Sequence, residues 1–199
     1  MVKFTSAKQK KIKFSKLNLE GISMKERLLL RKTCSIHAND LHFATVVFPY
    51  VSKEINCGAT VKTILERNEK ENIEKVIKNI GLNSELKEKI KKIDWEESDI
   101  TRIRKTFKLL EEEIKVNKKI DIIILGSNIF IQKVNKALDL WFKNNMEELE
   151  KTNIELNIIN CFSYEETKDL DIILNSHDYV LKTSGLEELI TEDELLKAN

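Results

Sequence analysis

The sequence predicts an α/β domain of three layers, with a mainly parallel, doubly wound sheet, helices on both of its faces and a basic N-terminal extension. Three observations carry that expectation. From Cys34 onward, short runs rich in β-branched residues alternate with stretches of helical periodicity, the pattern that gives parallel strands joined by helical crossovers. The run Ile120-Asp121-Ile122-Ile123-Ile124-Leu125-Gly126 is almost wholly apolar, as befits a strand covered on both faces. With 199 residues, 41% of them apolar, one proline and five glycines, the chain can enclose a core and is neither low-complexity nor disordered. No linker or internal repeat interrupts it, so we divide it into an extension over residues 1–32 and one domain over 33–199.

The elements follow in order. Lys11 to Leu19 alternates polar and apolar with period two and suits an edge strand with its lysines outward. Ser23-Met24-Lys25-Glu26 has capping-box spacing and predicts a short helix reaching towards Arg31. Cys34 to His37 reads as a strand. Asn39 or Asp40 then caps a helix with apolar positions Leu41, Ala44, Val47, Phe48, Val51 and Ile55, in which Pro49 predicts a kink or a restart. Asn56-Cys57-Gly58 ends it, and Ala59 to Leu65 is the next strand. Helices are predicted over Asn72 to Ile80, from Asn83-Ser84, and from about Asp99 to Asn117, with a short strand at Ile93-Asp94-Trp95. After the Ile120 strand come a long helix bearing Ile131, Val134, Leu138 and Trp141, a strand from Asn153 to Cys161, a helix from Glu166 to Asn175 and a strand from Tyr179 to Leu181. Ser184-Gly185-Leu186-Glu187 has capping-box spacing for a terminal helix.

The formal net charge of +1 hides an asymmetry: residues 1–32 carry ten Lys/Arg against Glu20 and Glu26, a net of +8, so the rest sums to −7. Lys8, Lys10, Lys11, Lys13 and Lys16, with Lys3 before them, have no acid between them and could neutralise phosphates of a nucleic acid. The other reading of the same residues is a solvated terminus lying on its own acidic body. No stretch reaches the length of a membrane span and no apolar core of a secretory signal is present, which predicts a cytoplasmic protein. Cys34, Cys57 and Cys161 are expected as reduced thiols.

In a doubly wound sheet, ligands bind outside the carboxyl ends of the strands, which directs attention to the loops His37 to Asp40, Glu66 to Asn68, Gly126 to Asn128 and Cys161 to Tyr164. A phosphate-cradling loop needs further glycines and a lysine beyond the strand, and neither Gly58 to Thr63 nor Gly126-Ser127-Asn128 supplies them. The strand ending at Gly126 also lacks an acid at its tip for a magnesium ion. His37, His42, His177 and Cys161 have no tight metal-ligand spacing, so no metal or cofactor is expected. Phe130 and Trp141 follow the Gly126 turn and are either core residues or the wall of an apolar pocket.

The order of these features resembles the sensory-domain family of methanogens and methylotrophs called MEDS, itself related to the RecA-like ATPases of the circadian-clock type. The likeness spans residues 33–190 and rests on Ser35-Ile36-His37-Ala38-Asn39-Asp40-Leu41-His42 where the ATPases carry a phosphate loop, on Ile80-Gly81-Leu82-Asn83, on Gly126-Ser127-Asn128-Ile129-Phe130, on Cys161-Phe162-Ser163-Tyr164-Glu165 and on His177-Asp178-Tyr179-Val180. Ser127 stands where the family has an acid and Phe130 where it has an indole. The resemblance implies a RecA-like core that has lost its P-loop and nucleotide hydrolysis. It further implies a non-catalytic role in sensing, signal transduction or transcriptional regulation, with a small organic ligand or regulatory protein partner, or self-association. The ligand site would comprise His37, Asp40, His42, Gly126, Ser127, Phe130, Tyr164 and His177. Two alternatives stand beside it: nucleic-acid binding through the N-terminal lysines, and a nucleotide-binding enzyme with a degenerate site.

Overall fold

A computed structural model describes residues 29–98, 103–167 and 169–189. Six strands form one sheet in the order β2-β3-β4-β1-β5-β6. β1 (Leu29–His37), β2 (Thr60–Leu65), β3 (Lys119–Leu125), β4 (Glu155–Ser163) and β5 (Tyr179–Lys182) run parallel, and β6 (Gly185–Glu188) closes one edge antiparallel to β5. The three-layer α/β architecture is thus as expected, with the added hairpin at its edge.

Period-two alternation divides the core. Ile120, Ile122 and Ile124 of β3 point to one face with Leu156 and Ile158 of β4, where α4 (Ile103–Val116) and α5 (Asn128–Leu149) cover them with Phe107, Leu110, Ile131, Val134 and Leu138. Ile123 and Leu125 point to the other face with Ile159 and Cys161, beneath α1 (Asp40–Asn56), α2 (Glu69–Asn79) and α3 (Ser84–Lys91). Truncating any of these buried isoleucines or leucines to alanine costs about 2–5 kcal/mol, so each face is held by many such contributions.

Several expectations are corrected. β1 begins at Leu29, so a helix running to Arg31 does not form, and the strand crosses the boundary drawn at residue 33. Arg31 and Lys32 belong to the sheet, pairing with Glu155 at 2.7 Å and Asp139 at 2.8 Å. The strand read at Lys11 to Leu19, like Lys8, Lys10, Lys13 and Lys16, lies outside the described residues. α1 runs unbroken through Pro49 because the proline is on the solvent side, where a lost helix hydrogen bond is tolerated.

Ile93 to Trp95 is not a strand. Ile93 and Trp95 fill the core under α3 while Asp94 is exposed, and the Trp95 indole donates to the Ile90 carbonyl at 3.0 Å. The helix read from Glu166 is shorter, α6 (Leu170–Asn175). Ser184 to Glu187 forms the turn and strand of the β5-β6 hairpin instead of a helix. Ser184 Oγ does reach Glu187 Oε1 at 2.8 Å, but Gly185 takes φ +119 and Leu186 pairs with Leu181 in the ladder. Among the described residues no helix is long and apolar enough to cross a membrane.

Candidate functional site at the carboxyl edge of the sheet

β1 ends at His37 and turns directly into α1. Asn39 caps the helix, its side-chain oxygen accepting the His42 N–H at 2.9 Å, and the Ala38 N–H donates to His42 Nδ1 at 3.2 Å. His42 is therefore part of the turn's own hydrogen bonding. His37 is 7% exposed, sets its ring edge-on to Phe43 at 5.5 Å, and has no partner for Nδ1. Burial lowers its pKa to about 4, against the opposing pull of Asp40. Tyr164 is brought beside it by the parallel register: the Tyr164 N–H donates to the His37 carbonyl at 2.8 Å, and its side chain is exposed.

Two strands away, β2 and β3 end in register at Leu65 and Leu125. That juxtaposition delivers Glu66 to the start of α5. One carboxylate oxygen of Glu66 accepts the Ser127 N–H at 2.6 Å and the other the Ser127 hydroxyl at 3.2 Å, while Ser127 Oγ accepts the Phe130 N–H at 3.3 Å as the helix cap. Glu166 takes the next amide, accepting from Asn128 N–H at 3.2 Å, and the Asn128 side-chain amide donates to the Glu166 carbonyl at 2.6 Å. Free N–H groups at a helix N-terminus attract anions. Here they hold carboxylates supplied by the protein itself.

Gly126 is the residue that permits this arrangement. A Cβ there would meet Glu66 Cβ at 2.5 Å, Glu66 Oε2 at 2.8 Å and Phe130 Cδ1 at 2.9 Å, at a φ of +155. Phe130 is a core residue, 4% exposed.

The rest of the edge is also acidic. Asn68, at φ 78, leads into α2 with its N–H on Glu97 at 2.9 Å. Glu69 is raised above the usual carboxylate range by burial, and the charges of Asp40, Glu66 and Glu166 raise it further. A hollow of about 310 Å³ opens against Asp40 and Leu41 and is bounded across α2 by Asn72, Lys75, Val76 and Asn79. A larger groove of about 470 Å³ lies away from every residue predicted for the site, between α2 and α3, with Lys70, Lys78, Lys87 and Lys91 above Ile77 and Trp95.

The structure thus brings His37, Asp40, His42 and Tyr164 together around the end of β1, and Gly126 with Ser127 around the end of β3. His177 does not join them, because the sheet intervenes. It lies on the α4 and α5 side, its Nε2 2.8 Å from the Asn160 amide and its Nδ1 2.7 Å from the Ile173 carbonyl, edge-on to Phe162. Both ring nitrogens are satisfied, and burial lowers its pKa. Glu166, Glu69 and Glu97 were absent from the sequence-based site, and Glu66 entered it only as a loop. The one signal for them was acids following apolar runs at Leu65 and Phe162.

Among the described residues of this edge, no nucleophile is hydrogen-bonded to a histidine base. Cys161 is fully buried with its thiol pushed well above its ordinary value by desolvation, and Ser127 is committed as a cap. Among the described residues no three His, Cys, Asp or Glu side chains are grouped to hold a metal ion.

No protein-family model matches the chain, and no curated protein matches it. Among solved structures it is similar to the crystal structure of a KaiC-like protein from the hyperthermophilic archaeon Pyrococcus horikoshii, at 16% identity over 75% of this chain and 69% of that one, with a TM-score of 0.39.

Proposed function

We propose that this chain is a non-catalytic regulatory domain, a RecA-like core in which the carboxyl edge of the sheet binds a cationic small organic ligand or a basic segment of a protein partner. The observation that supports it most is the double occupation of the α5 N-terminus by Glu66 and Glu166, which makes this edge of the sheet repel phosphate and favour cations. Asp40, Glu69 and Glu97 extend the negative field along the same edge. Leu41, Ile129 and Tyr164, respectively 56%, 65% and 63% exposed, add apolar contact area there. This is in keeping with the sensory-family resemblance, in which hydrolysis has given way to signal transduction. Histidines at the end of β1 contribute polar contacts, and no step of covalent chemistry is assigned to them.

The test is a thermal-shift panel on the full chain with ATP, inorganic phosphate, cationic organic compounds and lysine-rich peptides. Stabilisation by cationic compounds or peptides, lost on Asp40→Asn combined with Glu69→Gln, is the expected result. Stabilisation by ATP with turnover of labelled nucleotide overturns the reading. Salt-dependent nucleic-acid binding that vanishes on deleting residues 1–16 replaces it with the N-terminal lysine alternative.

A further inference from the structure

The sheet has a second polar centre, buried under the far half of α1. Arg31, Asn157, Asp121 and Val61 stand in one row across β1, β4, β3 and β2, and α1 lays Tyr50 and Glu54 over that row. Most of its polar groups have a hydrogen-bond or ion-pair partner. Thr33 Oγ1 donates to the Asn157 side-chain oxygen at 2.8 Å, and the Asn157 amide donates to the Tyr50 hydroxyl at 2.9 Å. Arg31 pairs with Glu155 at 2.7 Å, and Lys119 lies between Glu54 at 2.6 Å and Glu155 at 3.6 Å. Two cations and two carboxylates therefore balance without Asp121.

Asp121 is 0% exposed, and neither of its carboxyl oxygens has a hydrogen-bond partner. An ionised carboxylate there would be a charge in the interior beside Glu54 and Glu155 of like sign, with Lys119, already shared by those two acids, the cation that offsets it, and would be disfavoured. A protonated carboxyl carries no such penalty.

We propose that Asp121 is a buried proton site that ties the seating of α1 on the sheet to pH: protonated, it is accommodated beneath Tyr50 and Glu54; ionised, it loosens the helix from its bed. The groups facing it are Tyr50 and Glu54 from α1, Arg31 and Thr33 from β1, Lys119 from β3, and Glu155 and Asn157 from β4, while β2 presents the apolar Val61. Desolvation, with Glu54 adding to it and Lys119 and Asn157 opposing, raises the Asp121 carboxyl from 3.8 to about 7, so the change of state falls within the cellular pH range. The other end of α1 carries Asn39, Asp40 and His42, so a proton taken up here bears on the carboxyl-edge site through one continuous helix.

The sign follows from linkage. A carboxyl whose folded pKa is raised stabilises fully below its unfolded value and loses that stabilisation as pH rises to the folded value, the unfolding constant growing about tenfold per pH unit across the window. Carbon-13 NMR of the aspartate side-chain carboxyls in the full chain tests the site directly. One resonance, absent from Asp121→Asn, is expected to titrate near pH 7. Amide exchange of residues 41–56, corrected for the intrinsic pH dependence, is expected to quicken as pH rises from about 4 towards 7 and to level off above it in the wild type, and to show no such rise in D121N. A resonance titrating below pH 5, or α1 exchange equally pH-dependent in the variant, overturns the proposal. If D121N fails to fold, the wild-type titration alone still decides. Neither readout depends on any ligand at the carboxyl edge, so this proposal and the functional reading fail separately.

Discussion

Glu66 and Ser127, at the ends of neighbouring parallel strands, are locked together by both oxygens of one carboxylate: the backbone N–H of Ser127 donates at 2.6 Å and its hydroxyl at 3.2 Å. Charge-assisted bonds of this kind are roughly twice as strong as neutral ones, and this pair caps the helix on which one face of the sheet depends. The acid that the tip of β3 lacks is thus supplied from β2, as an internal ligand for the backbone.

Replacing both internal ligands, Glu66→Ala with Glu166→Ala, should cost about 1–3 kcal/mol through loss of capping and leave the α5 amides free. Inorganic phosphate or sulfate should then stabilise the variant and not the wild type. A phosphate titration followed by melting temperature checks it, and equal responses in the two proteins would count against the capping argument.

Gly126→Ala should destabilise by about 2–4 kcal/mol, because the added methyl meets two atoms of Glu66 and one of Phe130 at a backbone angle that alanine disfavours. Urea unfolding measures this, and a loss below about 1 kcal/mol would mean that Glu66 gives way readily.

Pro49→Ala should raise stability by about 1–3 kcal/mol. Pro49 is exposed within α1, so the substitution restores the bond to the Thr45 carbonyl without emptying any packed volume. Helical circular dichroism and thermal unfolding together report the gain.

His37→Gln should flatten the acid limb of the stability profile. With its folded pKa lowered to about 4 from 6.5, His37 stabilises fully above its unfolded value and loses up to about 3 kcal/mol as pH falls through the interval. Unfolding midpoints between pH 4 and 7 test it, read as the difference between variant and wild type, since Asp121 acts with the opposite sign throughout that range.

Much of the fold could be read in advance where local chemistry decides. β3 announced itself as an apolar run covered on both faces, and Asn39 and Asn83 cap the helices they precede, accepting from His42 and Leu86. The errors arose where a distant partner decides. Ser184 and Glu187 make the contact that capping spacing promises, yet the ladder to β5 and the backbone of Gly185 turn it into a hairpin. The link from Glu66 to Ser127 joins residues 61 positions apart and exists only because β2 and β3 end in register, which no window of sequence reveals. His177 looked like a companion of His37 until strand parity put them on opposite sides of the sheet.

The place of β1 in the sheet has a consequence for biosynthesis. Although it is the earliest described strand, it lies between β4 and β5, and its ladders join Leu29 to Glu155 and Thr33 to Tyr179. While the ribosome extends the nascent chain, β1 has no neighbour until β4 has emerged, and its second flank stays open until β5 follows. Closure of the centre therefore has a large loop to organise, and Cys34 and Ile36 remain accessible to chaperones until β4 and β5 have been made.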